Sequence, residues 1–281
     1  MKFSLVLATI GRSTEVEAFL RSLDAQTYRH IQLIVVDQNR DDRVERLMSL
    51  YAKGFEVKHI RSAPGLSHAR NVGLKYVNGD VVAFPDDDCW YAPTLLQQVR
   101  DELLRDAAID GVTGRSVDEN FAESGGLFSK VGAMVDIYRV WSQAISYTIF
   151  LKRHVCDAVA GGFDETLGVG ANTLFGSGEE TDYLIRAIRS GKRLRYAPEI
   201  TVFHPNKTAQ IDVQMIGKAM KYGCGMGRVL AKHGYPLHFR VKVLARPMLG
   251  CVLAALQLRP TLIRFRWATA VGRFRGMVSG G

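Results

Sequence analysis

The sequence predicts an α/β fold, a doubly wound sheet with helices on its faces, and three observations carry that prediction. Short apolar runs rich in β-branched residues recur at 3–8, 31–36 and 81–84, as buried parallel strands require. Segments with helical spacing lie between them. Each run opens into a polar cluster, at 9–12, 37–42 and 86–88, and ligands of such sheets bind at the carboxyl ends of the strands.

Taken in order, strand 3–8 leads to a helix entered at Thr14, which with Glu17 reads as a capping box. Val16, Phe19, Leu20 and Leu23 then fall at i, i+3, i+4 and i+7, so one face packs on the sheet. Strand 31–36 closes a βαβ unit of ~30 residues. Helix 42–52, strand 55–60, helix 66–76 (Ala69, Val72, Gly73 and Tyr76 on one side) and strand 81–84 continue the alternation. Residues 116–150 carry mixed signals, broken by Gly125 and Gly126, before a helix over 179–190 and strands near 193–196 and 200–203. Three further helical segments, 213–232, 241–258 and 262–277, complete the chain.

At 281 residues, with 47% hydrophobic and 23% charged side chains, the composition excludes a disordered or collagen-like chain. Cys89, Cys156, Cys224 and Cys251 lack zinc-site spacing and read as reduced thiols. The apolar run 3–8 is shorter than the ~7–15 residues of a signal-peptide core, so a cytoplasmic protein is expected. The net charge of +9 is concentrated at one end. Residues 213–281 hold twelve Lys and Arg and no Asp or Glu, whereas 1–212 hold 25 basic and 28 acidic side chains.

Asp86, Asp87 and Asp88 place three carboxylates where a buried strand opens into a loop, and like charges so close need an opposing charge. A solvated acidic turn is the bland alternative. A divalent cation is the chemical one, and oxygen ligands suit Mg²⁺ or Mn²⁺, which also bind substrate phosphates. Gly11 suits close backbone approach to a ligand, and Arg12 supplies charge for phosphate. Carboxylates at 179, 180 and 182 start a helix, where they are common for electrostatic reasons alone.

Asp86-x-Asp88 after a buried strand resembles the Asp-x-Asp signature of the GT-A glycosyltransferases, in particular glycosyltransferase family 2. Five further segments resemble family motifs in family order: Thr9-Ile-Gly11-Arg12, Val36-Asp37-Gln38-Asn39, Ala69-Arg70-Asn71-Val-Gly73, Gly161-Gly-Phe-Asp164-Glu165 with Glu179-Glu180-Thr-Asp182, and Pro198 through Val202 to His204. Gln38-Asn39 and Cys89 depart from the usual residues.

The resemblance implies a GT-A (Rossmann-like) mixed sheet flanked by helices, with a basic helical C-terminal extension. It implies Thr9, Gly11, Arg12, Asp37, Arg70, Asp86 and Asp87 at the sugar nucleotide, with Arg70 able to reach Asp86. Asp88 and His204 are implied as metal ligands for Mn²⁺ or Mg²⁺, and Glu180 as the catalytic base, with Asp182 and Glu179 the other base candidates. Residues 1–115 would bind the nucleotide, 116–210 the acceptor, and 211–281 would form a membrane-associating tail. The expected activity is inverting transfer from a nucleoside diphosphate sugar, UDP-linked, to a glycan hydroxyl on a polyprenyl diphosphate carrier, in surface polysaccharide assembly.

The longest uncharged run of the tail, 247–258, is too short for the ~20 residues of a span, so the tail would lie on the inner face of the cell membrane. Arg264, Arg266, Trp267, Arg273, Phe274 and Arg275 are the residue types of an interfacial helix on anionic lipid. A helical cap on the body, a homodimer contact and nucleic-acid binding are the alternatives for this segment, the last not adopted. A sugar-phosphate nucleotidyltransferase and a non-enzymatic adaptor are the rival functions. The first lacks its Gly-rich phosphate loop here, and the second leaves the acidic motifs without a role.

Overall fold

The computed structural model describes residues 1–51, 54–206 and 211–279. The first seven elements alternate as expected: β1 (Phe3–Thr9), α1 (Thr14–Asp24), β2 (Ile31–Asp37), α2 (Arg43–Leu50), β3 (Glu56–Arg61), α3 (Leu66–Leu74) and β4 (Val81–Ala83). The chain continues through β5 (Trp90–Tyr91), α4 (Leu95–Arg105), β6 (Gly111–Val117), β7 (Ala133–Val135), α5 (Val140–Gln143), β8 (Ile149–Lys152) and α6 (Arg153–Ala158). It ends with α7 (Glu179–Arg189), β9 (Leu194–Phe203), α8 (Val213–Lys232), α9 (Leu237–Leu256) and α10 (Pro260–Val278).

Among the described residues, nine strands form one sheet in the order β3-β2-β1-β4-β8-β6-β9-β5, with β7 also paired to β9. β1 to β4 run parallel, and β8 runs antiparallel to both β4 and β6. The sheet is therefore mixed. Every residue of β1 and β2 is buried, which is why these runs are mainly apolar rather than alternating, and the buried Ser4 donates its hydroxyl to Gln32. The four expected residues of α1 are all buried, and Phe19 meets Tyr91 edge to face.

The chain divides into two compact units, one of residues 1–64, 68–163 and 183–207, the other of 65–67, 164–182 and 208–281. In the second, α10 packs closely on α8 through glycines. A Cβ on Gly227 would stand 2.1 Å from the Arg273 carbonyl oxygen, and one on Gly276 2.0 Å from that of Cys224. No described helix is long and apolar enough to cross a membrane.

Several local expectations are corrected. The capping box at Thr14 does not form, because Ser13 is the N-cap and Glu17 instead accepts from Tyr51 Oη (2.6 Å) and Arg21. Tyr76 lies beyond α3 and is exposed, with Lys58 over its ring. The two strands near 193–196 and 200–203 are one, β9, which passes Pro198 at a register shift between Thr113 and Arg115 of β6. Gly114 permits that closeness, since a Cβ there would lie 2.2 Å from the Ile200 carbonyl oxygen. The end of helix 42–52, the boundary at 210 and the last two residues of the tail lie outside the described residues.

Candidate active site

The carboxyl ends of β1 and β4 are neighbours in the sheet, so the turn after Thr9 meets the loop after Ala83. Thr9 Oγ1 donates to Asp87 Oδ2 at 2.7 Å. The chain then turns through Gly11 at φ +72°, a left-handed conformation that suits glycine, and Arg12 swings back onto the carboxylates. Its Nη1 lies 2.5 Å from Asp87 Oδ1 and 2.8 Å from Asp88 Oδ2. Burial works against the guanidinium charge, but Asp87 and Asp88 outweigh it and raise the Arg12 pKa.

Asp37 ends β2, fully buried, and accepts from the Asn39 amide (2.9 Å) and Asn39 Nδ2 (2.7 Å). Arg61 Nη1 and His59 Nε2, both from β3, lie 3.1 and 3.0 Å from its other oxygen. Asn39 also accepts from the Gly11 amide at 2.6 Å, so the turns after β1 and β2 are tied together.

Arg70 is almost fully buried on α3, with Nη2 3.2 Å from Asp86 Oδ1 and its guanidinium over the Phe163 ring. The adjacent Asn71 donates to the Phe163 carbonyl (2.9 Å) and accepts from its amide (2.7 Å). The Ala-Arg-Asn and Gly-Gly-Phe segments, remote in sequence, are thus joined. Gly162, at φ +67°, lies where a side chain would strike Asn71.

His204 arrives through strand pairing. The two-residue β5, just after Asp88, pairs antiparallel with the end of β9, where Trp90 stacks on Phe203, and the His204 amide donates to the Val117 carbonyl at 2.8 Å. This sets His204 Nε2 3.1 Å from Asp88 Oδ1. The other ring nitrogen lies 3.4 Å from Ser124 Oγ, and the ring stacks on Tyr147 with centroids 4.8 Å apart. Asp86, Asp88 and His204 each offer a ligand atom, all within 4.8 Å of one another.

Burial raises the Asp86 carboxyl above its ordinary range, with Arg70 opposing it and Asp88 adding to it. Burial also pushes Asp87 up to about 6, against Thr9 and Arg12. Cys89, at the departure from the usual motif, is buried, and its thiol is raised well above its ordinary range by burial and then by Asp86.

Glu179, Glu180 and Asp182 form the first turn of α7, in the second unit. Asp182 is fully buried and its Oδ1 lies 2.8 Å from both Lys232 Nζ and His233 Nε2, at the end of α8. Lys232 also reaches Asp164 at 2.7 Å. Glu179 is buried against Gly168, and Glu180 is half-buried.

The structure thus gathers Thr9, Arg12, Arg70, Asp86, Asp87, Asp88 and His204, and links Gly11 and Asp37 to them through Asn39. Sequence reading missed Ser146, whose Oγ donates to Asp86 Oδ1 at 3.2 Å, and also Ser124, Tyr147, Lys232 and His233. The first three lie in the stretch with mixed signals. The last two carry a faint signal, as an adjacent Lys and His closing a helix.

A sequence model described as glycosyl transferase family 2 matches residues 4–165, more than half of the chain. The chain belongs to glycosyl transferase family 2. The nucleotidyltransferase and adaptor alternatives are thereby set aside. Among family relatives, the UDP-Glc:alpha-D-GlcNAc-diphosphoundecaprenol beta-1,3-glucosyltransferase WfgD of Escherichia coli is 31% identical over 99 residues, 34% of this chain and 39% of that protein. The chain spans between about a sixth and two fifths of the length of these curated relatives.

Solved structures support the GT-A fold. TarS 1–349 of S. aureus in complex with UDP-GlcNAc superposes with a TM-score of 0.62 at 16% identity, over 98% of this chain and 90% of that one. The mannosyltransferase PcManGT of Pyrobaculum calidifontis, in complex with GDP-Man and Mn²⁺, gives 0.66 at 15% identity, over 100% and 88%.

Proposed function

We propose that the protein transfers a sugar from a nucleoside diphosphate sugar, UDP-linked, to a glycan hydroxyl with inversion, and that it depends on Mn²⁺ or Mg²⁺. The observation that carries this reading is the Asp86, Asp88 and His204 set at the carboxyl ends of the strands, with Arg12 and Arg70 against it. Two carboxylate oxygens and one imidazole nitrogen fit a hard divalent cation. Asp88 and His204 would hold it, and it would offset the charge of the departing diphosphate.

The chain's own residues do the rest. Thr9, Gly11 and Arg12 meet the diphosphate, for which a guanidinium is the matched partner. Asp37, held by Asn39, Arg61 and His59, takes the base. Asp86, fixed by Arg70 and Ser146 beside Asp87, takes the ribose. Glu180 takes the proton of the acceptor hydroxyl as its oxygen bonds to the anomeric carbon, and the diphosphate leaves with the electron pair of the broken C–O bond. Asp182, engaged by Lys232 and His233, and Glu179, packed on Gly168, are positioning residues for that turn.

In this reading residues 1–115 serve the donor, 116–210 the acceptor, and 211–281 the membrane. The name of WfgD gives it UDP-Glc and a diphosphoundecaprenol-linked acceptor. That supports a polyprenyl-diphosphate-linked glycan as the acceptor here, met at the anionic cytoplasmic face of the membrane during surface polysaccharide assembly.

Calorimetric titration with a panel of nucleoside diphosphate sugars, in Mn²⁺, Mg²⁺ or chelator, tests the donor site. One donor should bind only with metal, and Asp88→Ala should lose that binding. Glu180→Gln should bind the donor normally yet lose about 100-fold or more in turnover. Metal-independent binding of every donor, or none at all, rejects the reading.

A further inference from the structure

We infer that the outer face of α9, rather than α10, is the surface that enters an anionic lipid interface. This rests on the membrane part of the reading above and adds which residues make the contact.

α10 is the middle helix of the three at the end of the chain, packed on α8 by its glycine face and on α9 by the other. Arg273, expected on an exposed interfacial helix, instead donates from Nη1 to the Val243 carbonyl of α9 at 2.6 Å. α9 needs little of its own surface for packing, since only Val243, Pro247 and Ala254 are buried. Its outer side presents Val241, Met248, Leu249, Val252, Leu253 and Leu256, each at least 50% exposed. The spacings of seven, four and four residues place them in one stripe. An aliphatic row of this length, open to water, marks an interaction surface.

Charge decides what covers it. Lys242 and Arg246 stand exposed on the same helix, Arg259 at the connection, and Arg264 and Arg266 on α10, while residues 213–281 contain no carboxylate side chain. A symmetric contact with a second copy would set this basic surface against itself with no Asp or Glu to pair. A nucleic acid would reward the cations and leave the aliphatic row in water. An anionic lipid surface satisfies both, with aliphatic side chains among the acyl chains and Lys and Arg at the headgroups. α9 is not apolar enough to span, so it lies in the plane of the interface.

The test is co-sedimentation of the full chain with phosphatidylcholine vesicles, with or without half phosphatidylglycerol. It compares the wild type, Leu249→Ser/Leu253→Ser on α9, and Trp267→Ser/Phe274→Ser on α10. The wild type should bind only the anionic vesicles, and 0.5 M salt should weaken that binding. The α9 variant should bind at least tenfold less, while the α10 variant keeps most of its binding. Unchanged circular dichroism and donor titration would show that the α9 variant is folded. If the wild type binds vesicles and the α9 variant binds equally well, the face is wrong and the membrane reading stands. If the wild type binds no vesicle, both fail. A dimer dissociated by the α9 substitutions, or binding of a 20-nucleotide RNA lost with them, in the absence of vesicle binding, would give the face to those partners instead.

Discussion

Arg12→Met should tighten Mn²⁺ binding in the absence of nucleotide and weaken donor binding in the presence of metal. The guanidinium lies on the carboxylates, touching Asp87 at 2.5 Å and Asp88 at 2.8 Å. Asp88 is 6% exposed and Arg12 32%, so water screens the pair only in part. A charge-assisted hydrogen bond in such a setting is worth ~1.5–3 kcal/mol. A cation that takes Asp88 must displace it, so removing Arg12 should lower the metal Kd about 10- to 100-fold, at ~1.4 kcal/mol per decade.

The sign reverses for the nucleotide. A bound diphosphate offers Arg12 a new partner, which frees Asp88 for the metal, so metal and donor should each improve the other's affinity in the wild type. Linkage makes that factor equal in both directions. In Arg12→Met the factor should shrink, and the donor should bind about 10-fold or more weaker for want of the guanidinium. Titration of free Mn²⁺ by electron paramagnetic resonance, with and without UDP, reads both quantities. Unchanged or weaker Mn²⁺ binding by a folded variant without nucleotide refutes the competition.

Within α8, Gly227→Ala should destabilise by about 1–3 kcal/mol in urea unfolding, because the new Cβ would stand 2.1 Å from the Arg273 carbonyl and overpacking outweighs the helix propensity of alanine. Gly217→Ala, with nothing within 4 Å, should instead stabilise by about 0.5–1 kcal/mol, and equal effects at the two sites would contradict the packing of α8 on α10. Asp182→Asn should lower the melting temperature, because it strips a buried carboxylate from Lys232 and His233, whereas Glu180→Gln should not; differential scanning calorimetry separates the two. Burial raises the Asp164 carboxyl, but hydrogen bonds from Lys232 and Thr166 outweigh it, so its pKa is lowered from 3.8. A lowered folded pKa means stability that is present above the unfolded value and lost as pH falls through the folded one, so Asp164→Asn should flatten the loss of stability below about pH 4.

The parallel half of the fold was legible because its signals are local. Fully buried strands such as Ile31–Asp37 are mainly apolar, and their polar ends gather at one edge of the sheet. That suffices to bring Thr9, Arg12 and the 86–88 carboxylates together. The rest depends on partners far along the chain. Nothing in residues 149–152 announces that this strand inserts antiparallel between β4 and β6, because a four-residue element has no periodicity to read. The capping box at Thr14 failed for a related reason. Glu17 fits a capping box by spacing, yet Tyr51 and Arg21 hold its carboxylate.

The placement of His204 shows how much the site owes to such remote pairing. The residue sits after β9, 116 positions beyond Asp88 in the chain, and only two paired residues of β5 bring it alongside. The stack of Trp90 on Phe203, nearly parallel with centroids 5.5 Å apart, holds that register, and the His204 amide bond to Val117 fixes the backbone on the other side. A slip of one residue in this pairing would turn the imidazole to the opposite face of the sheet. The Asp88 and His204 pair that would hold the cation therefore owes its proximity to strand register as much as to residue type. Ser124 and Tyr147, which contact the His204 ring, belong to the same device.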